Sequence, residues 1–160
     1  ANISVFDRSQ RDPDLRGMGT TIVACIVCDG IAHIVHAGDS RAYHITAEGI
    51  EQMTKDHSVV QLLVDRGEIT QDEARFHPKK HFITRALGVM SIIDLDYCEF
   101  ALDEGEAIII CTDGLSNYFT SGELFDMVKA AGYGKCVDKL INAAKKAGGA
   151  DNITVVCISK

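Results

Sequence analysis

The sequence has no uninterrupted apolar run near the roughly 18 residues a membrane-spanning helix needs. No stretch of these 160 residues shows the charged start, apolar core and small-residue cleavage site of a signal peptide. Concentrated positive charge is also missing. Beyond the pairs Lys79/Lys80 and Lys145/Lys146 no lysines or arginines gather, and the formal net charge is −7. Nucleic acid and anionic membrane both require a basic face, so neither is expected as a main partner. No window combines low apolar content with high charge, which argues against a long disordered segment. A second C-x-x-C is lacking too. The one present, Cys25 and Cys28, lies in the apolar run 22–28, where a separation of three puts strand side chains on opposite faces. The six cysteines therefore read as buried, reduced thiols, and a cytoplasmic location is expected.

The 160 residues are 46% hydrophobic and 24% charged, enough for one domain with a substantial core. Residues 20–28 and 31–36 are two apolar runs split by Asp29-Gly30, a pair suited to a type I′ hairpin turn. A second tight turn at Gly38-Asp39-Ser40 leads into Arg41-Ala42-Tyr43-His44-Ile45, and the pattern predicts an antiparallel meander. These strands are apolar on both faces, so the sheet is expected to be covered on both sides by stacked layers with outer helices. Val59, Val60, Leu62 and Leu63 recur at helical spacing up to Gly67, and Thr70-Gln71-Asp72-Glu73 has the form of a capping box. Residues 58–77 thus predict two short, peripheral helices.

Further strands are expected at 94–102, 107–111 and 153–158. Thr120-Ser121-Gly122-Glu123 opens a helix that Gly132 and Gly134 end, and an amphipathic helix through Cys136, Leu140 and Ala144 closes at Gly148-Gly149.

Asp39, Asp113 and Asp151 each stand where an apolar strand meets a tight turn. Carboxylates at strand ends can converge on one sheet rim, and hard divalent cations prefer such oxygen ligands. Gly114 lets the chain bend beside Asp113, and Asn152 can anchor the turn before the last strand. Asp, Asn and Gly also populate turns for purely local reasons, so spacing alone leaves both readings open.

Six segments occur in order: Gly17-Met18-Gly19-Thr20-Thr21, Ala37-Gly38-Asp39-Ser40-Arg41-Ala42-Tyr43, Lys55-Asp56-His57-Ser58, Ile83-Thr84-Arg85-Ala86-Leu87-Gly88, Cys111-Thr112-Asp113-Gly114-Leu115 and Asp151-Asn152-Ile153-Thr154. Together they resemble the bacterial form of the type 2C metal-dependent serine/threonine protein phosphatases, over essentially the whole chain. The resemblance implies an α+β fold of two stacked antiparallel β-sheets flanked by helices, a four-layer αββα sandwich, here without its N-terminal strands. It implies Mn²⁺ or Mg²⁺ as cofactor, phosphorylated proteins as partners, and direct attack of a metal-activated water on phosphoserine or phosphothreonine. By motif, Asp113 and Asp151 are the catalytic carboxylates that ligate one metal, and Asp39 joins Asp113 at a looser third metal. Gly114 and Asn152 support them. Residues 58–82 match the family's flap within a single truncated domain, 1–160.

Two family motifs are not found among these residues: the Arg-x-x-Asn-x-Asp-like segment with the phosphate-binding arginine, and the Asp-Gly-x-Gly-Gly segment with the metal-bridging aspartate. Residues 1–16 resemble the end of a helix and the linker that follow those motifs. The chain opens on Ala1, and the natural protein is expected to extend further N-terminally. This span is then expected to be inactive, and its uncovered sheet edge to favour self-association. Arg41 and Arg85 read as ion-pair partners rather than phosphate ligands. No histidine pair has zinc-hydrolase spacing. His77 stands at the end of the flap. At His81 the family pattern has Asn, so substrate contacts there stay open.

A haloacid-dehalogenase-type reading fails because the position two before Asp113 is Cys111, not a nucleophilic Asp. A non-catalytic phosphatase-like binding module stays open as the alternative.

Overall fold

The computed structural model describes residues 1–160. Helix α1 spans Asn2–Arg11 and a single 3-10 turn covers Pro13–Leu15. Strands β1 (Ile22–Cys28), β2 (Ile31–Ala37), β3 (Arg41–Ile45) and β4 (Ile50–Gln52) follow. Helices α2 (Val59–Asp65) and α3 (Gln71–Phe76) precede strands β5 (Asp96–Ala101) and β6 (Ala107–Cys111). Helices α4 (Asp113–Ser116), α5 (Ser121–Ala131) and α6 (Tyr133–Lys146) lead to strand β7 (Val155–Ser159). The strands form two antiparallel sheets, ordered β1-β2-β5 and β4-β3-β6-β7, so the α+β class read from the sequence holds. No helix is long and apolar enough to cross a membrane.

The hairpin at Asp29-Gly30 forms as its residues dictate, with φ of 51° and 80° at the two central positions. The expected continuation into a meander does not form. β3 leaves β2 for the other sheet, where it pairs with β4 and β6. The intervening Gly38 has φ of 112°, and a Cβ there would lie 2.3 Å from Thr21 Cγ2, so glycine is required twice over. Apolar patterning reports burial, not which neighbour supplies it, so the switch of sheets left no mark in the sequence.

The chain divides into two compact units. One contains Cys25–Ile34, Ser40–Thr54 and Cys98–Lys160. In it, cross-strand register sets the faces: Tyr43 lies opposite Ile109, and Ile109 opposite Cys157. The odd-numbered side chains Tyr43, Ile45, Ile109, Cys111 and Val155 pack with Leu124 and Val128 of α5 and with Cys136, Leu140 and Ala144 of α6. The even-numbered Ala42 and Ile108 are equally buried on the opposite face. There His44 of β3 meets Phe100 of β5, ring centroids 4.5 Å apart, so the two sheets stack. Two-sided burial is why these strands lack a polar alternation. Each fully buried Leu, Ile or Val contributes about 1.5–3 kcal/mol.

Both hydroxyl and carboxylate of the Thr120–Glu123 capping box are engaged at the start of α5. Gly132 ends α5 with φ of 71°. Gly134, expected to end the same helix, lies instead in the first turn of α6, where its lack of a side chain is tolerated.

The other unit contains Ala1–Ala24, Val35–Asp39 and Lys55–Tyr97. Asn2 ties α1 to a distant loop: its Nδ2 donates to the carbonyls of Met90 (3.0 Å) and Ser91 (3.1 Å), and its Oδ1 accepts from the Gly88 N–H (2.8 Å). Bridges Thr20–Leu87 and Ser58–Ile83 complete the framework. Ser58 caps α2, and Thr70 with Glu73 forms the expected capping box on α3. These helices bury only Val60 and Ala74, the small core anticipated for a peripheral pair.

Candidate metal centre

Register fixes where the C-terminal carboxylates sit. Cys111, the last residue of β6, lies opposite Val155, the first of β7, so the turns carrying Asp113 and Asp151 occupy the same end of this strand pair. Thr112 locks them together. Its hydroxyl donates to the Asn152 carbonyl (3.2 Å) and accepts from the Thr154 N–H (3.0 Å), while its own N–H donates to the Thr154 carbonyl (3.1 Å). Gly114 is buried against the same carbonyl: a Cβ there would stand 2.2 Å from Asn152 O. Asn152 thus meets Gly114 and Thr112 through its backbone oxygen.

Asp113 begins α4 and is half-buried, its Oδ2 accepting from Asn117 Nδ2 (3.1 Å). Asp151 is exposed, and its Oδ1 accepts from the Asn152 N–H (2.7 Å). Each of these bonds takes up one of a carboxylate's several acceptor sites, so both side chains keep oxygen lone pairs for a hard cation. Carboxylate oxygens of this kind suit a hard cation such as Mn²⁺ or Mg²⁺.

Asp39 is half-buried and belongs to the other unit, in the turn ahead of β3. The residue before it is gripped by His57. The Gly38 N–H donates to His57 Nδ1 (3.1 Å), and the His57 N–H donates to the Gly38 carbonyl (2.9 Å). His36 stacks on the His57 ring at 4.7 Å and 8° and donates from Nε2 to the Lys55 carbonyl (2.9 Å). His57 Nε2 is buried without a well-aligned hydrogen bond, and Asp96 Oδ2 lies 3.2 Å away. Asp96 also accepts from Arg85 Nη1, which confirms Arg85 as an ion-pair partner. Arg41, read in the same way, donates to the Tyr43 hydroxyl (3.2 Å).

Burial lowers the His57 pKa, and the Asp96 contact offsets this only in part, so the ring is neutral at pH 7. Burial alone raises the Asp96 pKa, but the contacts with His57 and Arg85 outweigh it and leave the carboxyl below its usual range. His36, His57 and Asp96 lie close enough, within 4.8 Å, to invite a second metal reading. The rings argue otherwise. Parallel stacked imidazoles aim their in-plane lone pairs side by side rather than at one ion, and His57 Nδ1 is already taken by an amide proton. This cluster escaped sequence reasoning: His57 was visible only as part of a motif, and nothing in the spacing linked it to Asp96.

The sequence matches the profile described as Protein phosphatase 2C over residues 4–153. The chain belongs to that family. It is 35% identical over 153 residues to the serine/threonine phosphatase stp of Listeria welshimeri, covering 95% of this chain and 61% of that protein. The crystal structure of the serine/threonine phosphatase Stp1 from Staphylococcus aureus superposes with a TM-score of 0.94 at 31% identity, over 99% of this chain and 63% of that one. A PstP catalytic domain solved in complex with two manganese ions matches with a TM-score of 0.87 at 33% identity, over 98% of this chain and 65% of that one. This phosphatase 2C chain thus spans less than two thirds of the length of these relatives.

Proposed function

We propose that the protein of which these residues form a part hydrolyses phosphoserine and phosphothreonine in proteins with Mn²⁺ or Mg²⁺, through a site that includes Asp113 and Asp151. The observation that carries this reading is the locked pair of turns, which holds both carboxylates at one end of β6 and β7. When bound, the metals supply a water of lowered pKa and offset the charge on the phosphoryl oxygens. The chain's own contribution is to hold the ligands: Asn117 orients Asp113, the Asn152 amide orients Asp151, and Gly114 keeps the two turns in contact. Asp39 serves the looser third metal. Residues 58–82 act as the flap of a single catalytic domain, and the surroundings are cytoplasmic.

The family's metal-bridging aspartate and phosphate-binding arginine motifs do not occur among these residues, so this 160-residue span binds the cation weakly and turns over little. Calorimetric titration with Mn²⁺ tests the ligand assignment. D113A and D151A are each expected to weaken binding at least about tenfold, because affinity for hard cations rises with ligand charge. Unchanged affinity in both variants removes the assignment. Rapid metal-dependent hydrolysis of p-nitrophenyl phosphate by the span alone removes the low-activity reading.

A further inference from the structure

We propose that His57, oriented by Asp96 and Arg85, is a positioning residue that clamps Gly38 and thereby fixes the turn presenting Asp39. Its functional meaning rests on the reading of Asp39 as a metal-site carboxylate; the clamp itself rests on geometry alone.

Gly38 is held at both of its backbone polar groups by one residue: its N–H by the His57 ring and its carbonyl by the His57 amide. The glycine sits at a φ of 112°, which only such a residue adopts readily, and it is wedged against Thr21. Glycine also has the widest backbone freedom of any residue, so contacts from outside are what narrow it to this one conformation. The ring contact works in one tautomer only. Nδ1 accepts the Gly38 proton, so the neutral ring carries its own proton on Nε2, and that atom faces the Asp96 carboxylate at 3.2 Å. A carboxylate there stabilises the N–H form and disfavours the tautomer that would confront the Gly38 amide with a second proton. Arg85 fixes the other oxygen of Asp96, and His36 covers one face of the ring. The chain of contacts thus runs Arg85, Asp96, His57, Gly38, and its last member adjoins Asp39. Every group in it belongs to the unit that contains Asp39.

Asp96 is the place to break the chain, because its side chain is 46% exposed and its loss leaves the core intact. Nitrogen-15 NMR of the metal-free 160-residue protein is expected to show His57 protonated at Nε2 and bare at Nδ1. In D96A the Gly38 amide is expected to exchange with solvent several-fold to about tenfold faster, the effect of losing one supported hydrogen bond. D96N offers one acceptor oxygen where two donors stand, and is expected to fall between wild type and D96A. The Ile109 amide in β6 is expected to be unchanged in both, which separates positioning from general loosening. In Mn²⁺ titrations, D96A is expected to weaken binding in the wild-type background and to add nothing in a D39A background.

A His57 protonated at Nδ1, an unaltered Gly38 exchange rate in D96A, or equal effects of D96A with and without Asp39 would overturn the proposal. If the wild-type chain takes up no Mn²⁺, the metal reading fails instead, and the tautomer and exchange results alone decide the clamp.

Discussion

Replacing Gly114 with alanine adds one methyl group at the most constrained contact in the candidate metal centre. The new carbon would stand 2.2 Å from the Asn152 carbonyl oxygen, 3.0 Å from its carbon and 3.3 Å from Ile153 Cγ1, against 3.4 Å or more for an ordinary contact. The obstacle is backbone, so no rotamer change relieves it. The turn after β6 and the turn before β7 must separate by roughly 1 Å, at an overpacking cost of about 1–3 kcal/mol. Alanine's helical advantage, at most about 1 kcal/mol in a full helix, recovers little in the four residues of α4. The same separation moves Asp113 relative to Asp151, and a cation with near-octahedral demands loses affinity by about tenfold or more. Gly122 provides the control: it lies in the first turn of α5, with nothing within 4 Å of an added Cβ. Urea unfolding is therefore expected to show opposite signs, with G114A destabilised and G122A neutral or stabilised by a few tenths of a kcal/mol. Titration with Mn²⁺ should show weakening in G114A alone. A G114A protein with wild-type midpoint and affinity refutes the claim that this contact holds the two carboxylates together.

Three further outcomes follow from local features. T120A removes the hydroxyl of a complete capping box on a helix that packs into the core, and is expected to lower unfolding stability by about 1 kcal/mol; an unchanged urea midpoint contradicts that role. The Asp103 amide and His44 hold the Glu106 pKa below its usual value. A lowered folded-state pKa stabilises fully above the ordinary Glu range and loses that contribution as pH falls through the lowered value. E106Q is therefore expected to flatten the stability profile as pH falls through and below the ordinary Glu range, and parallel profiles would exclude Glu106 as a contributor. β1 is a sheet edge with Ile26 68% and Val27 40% exposed, so we propose that the span self-associates, which light scattering should register as an apparent mass rising with concentration.

What the sequence disclosed was local chemistry. Asp29-Gly30, the Thr70 and Thr120 capping boxes and the stripe Cys136, Leu140, Ala144 each encode their structure within a few residues, and each formed as read. That the turns carrying Asp113 and Asp151 lie at strand ends was also legible, because apolar runs closed by turn residues mark such ends. Partnership between distant segments was not. Whether β3 joins β2 or β6 depends on what covers each face, and both answers produce the same apolar run. The three residues of β4 are too few to show a period. The grip of His57 on Gly38 joins positions nineteen apart and acts through a ring nitrogen, which no spacing rule describes.

The position of β6 has a consequence for how the molecule breathes. It is hydrogen-bonded on both edges, by β3 and β7, and four of its five residues are fully buried. Asp113 follows directly on this strand, so its foundation is expected to be among the last parts of the unit to open. The α2 and α3 segment has no such foundation and can unfold and reclose many times within one lifetime of β6. Sampling at the periphery and permanence at the acidic rim can thus coexist in one short polypeptide.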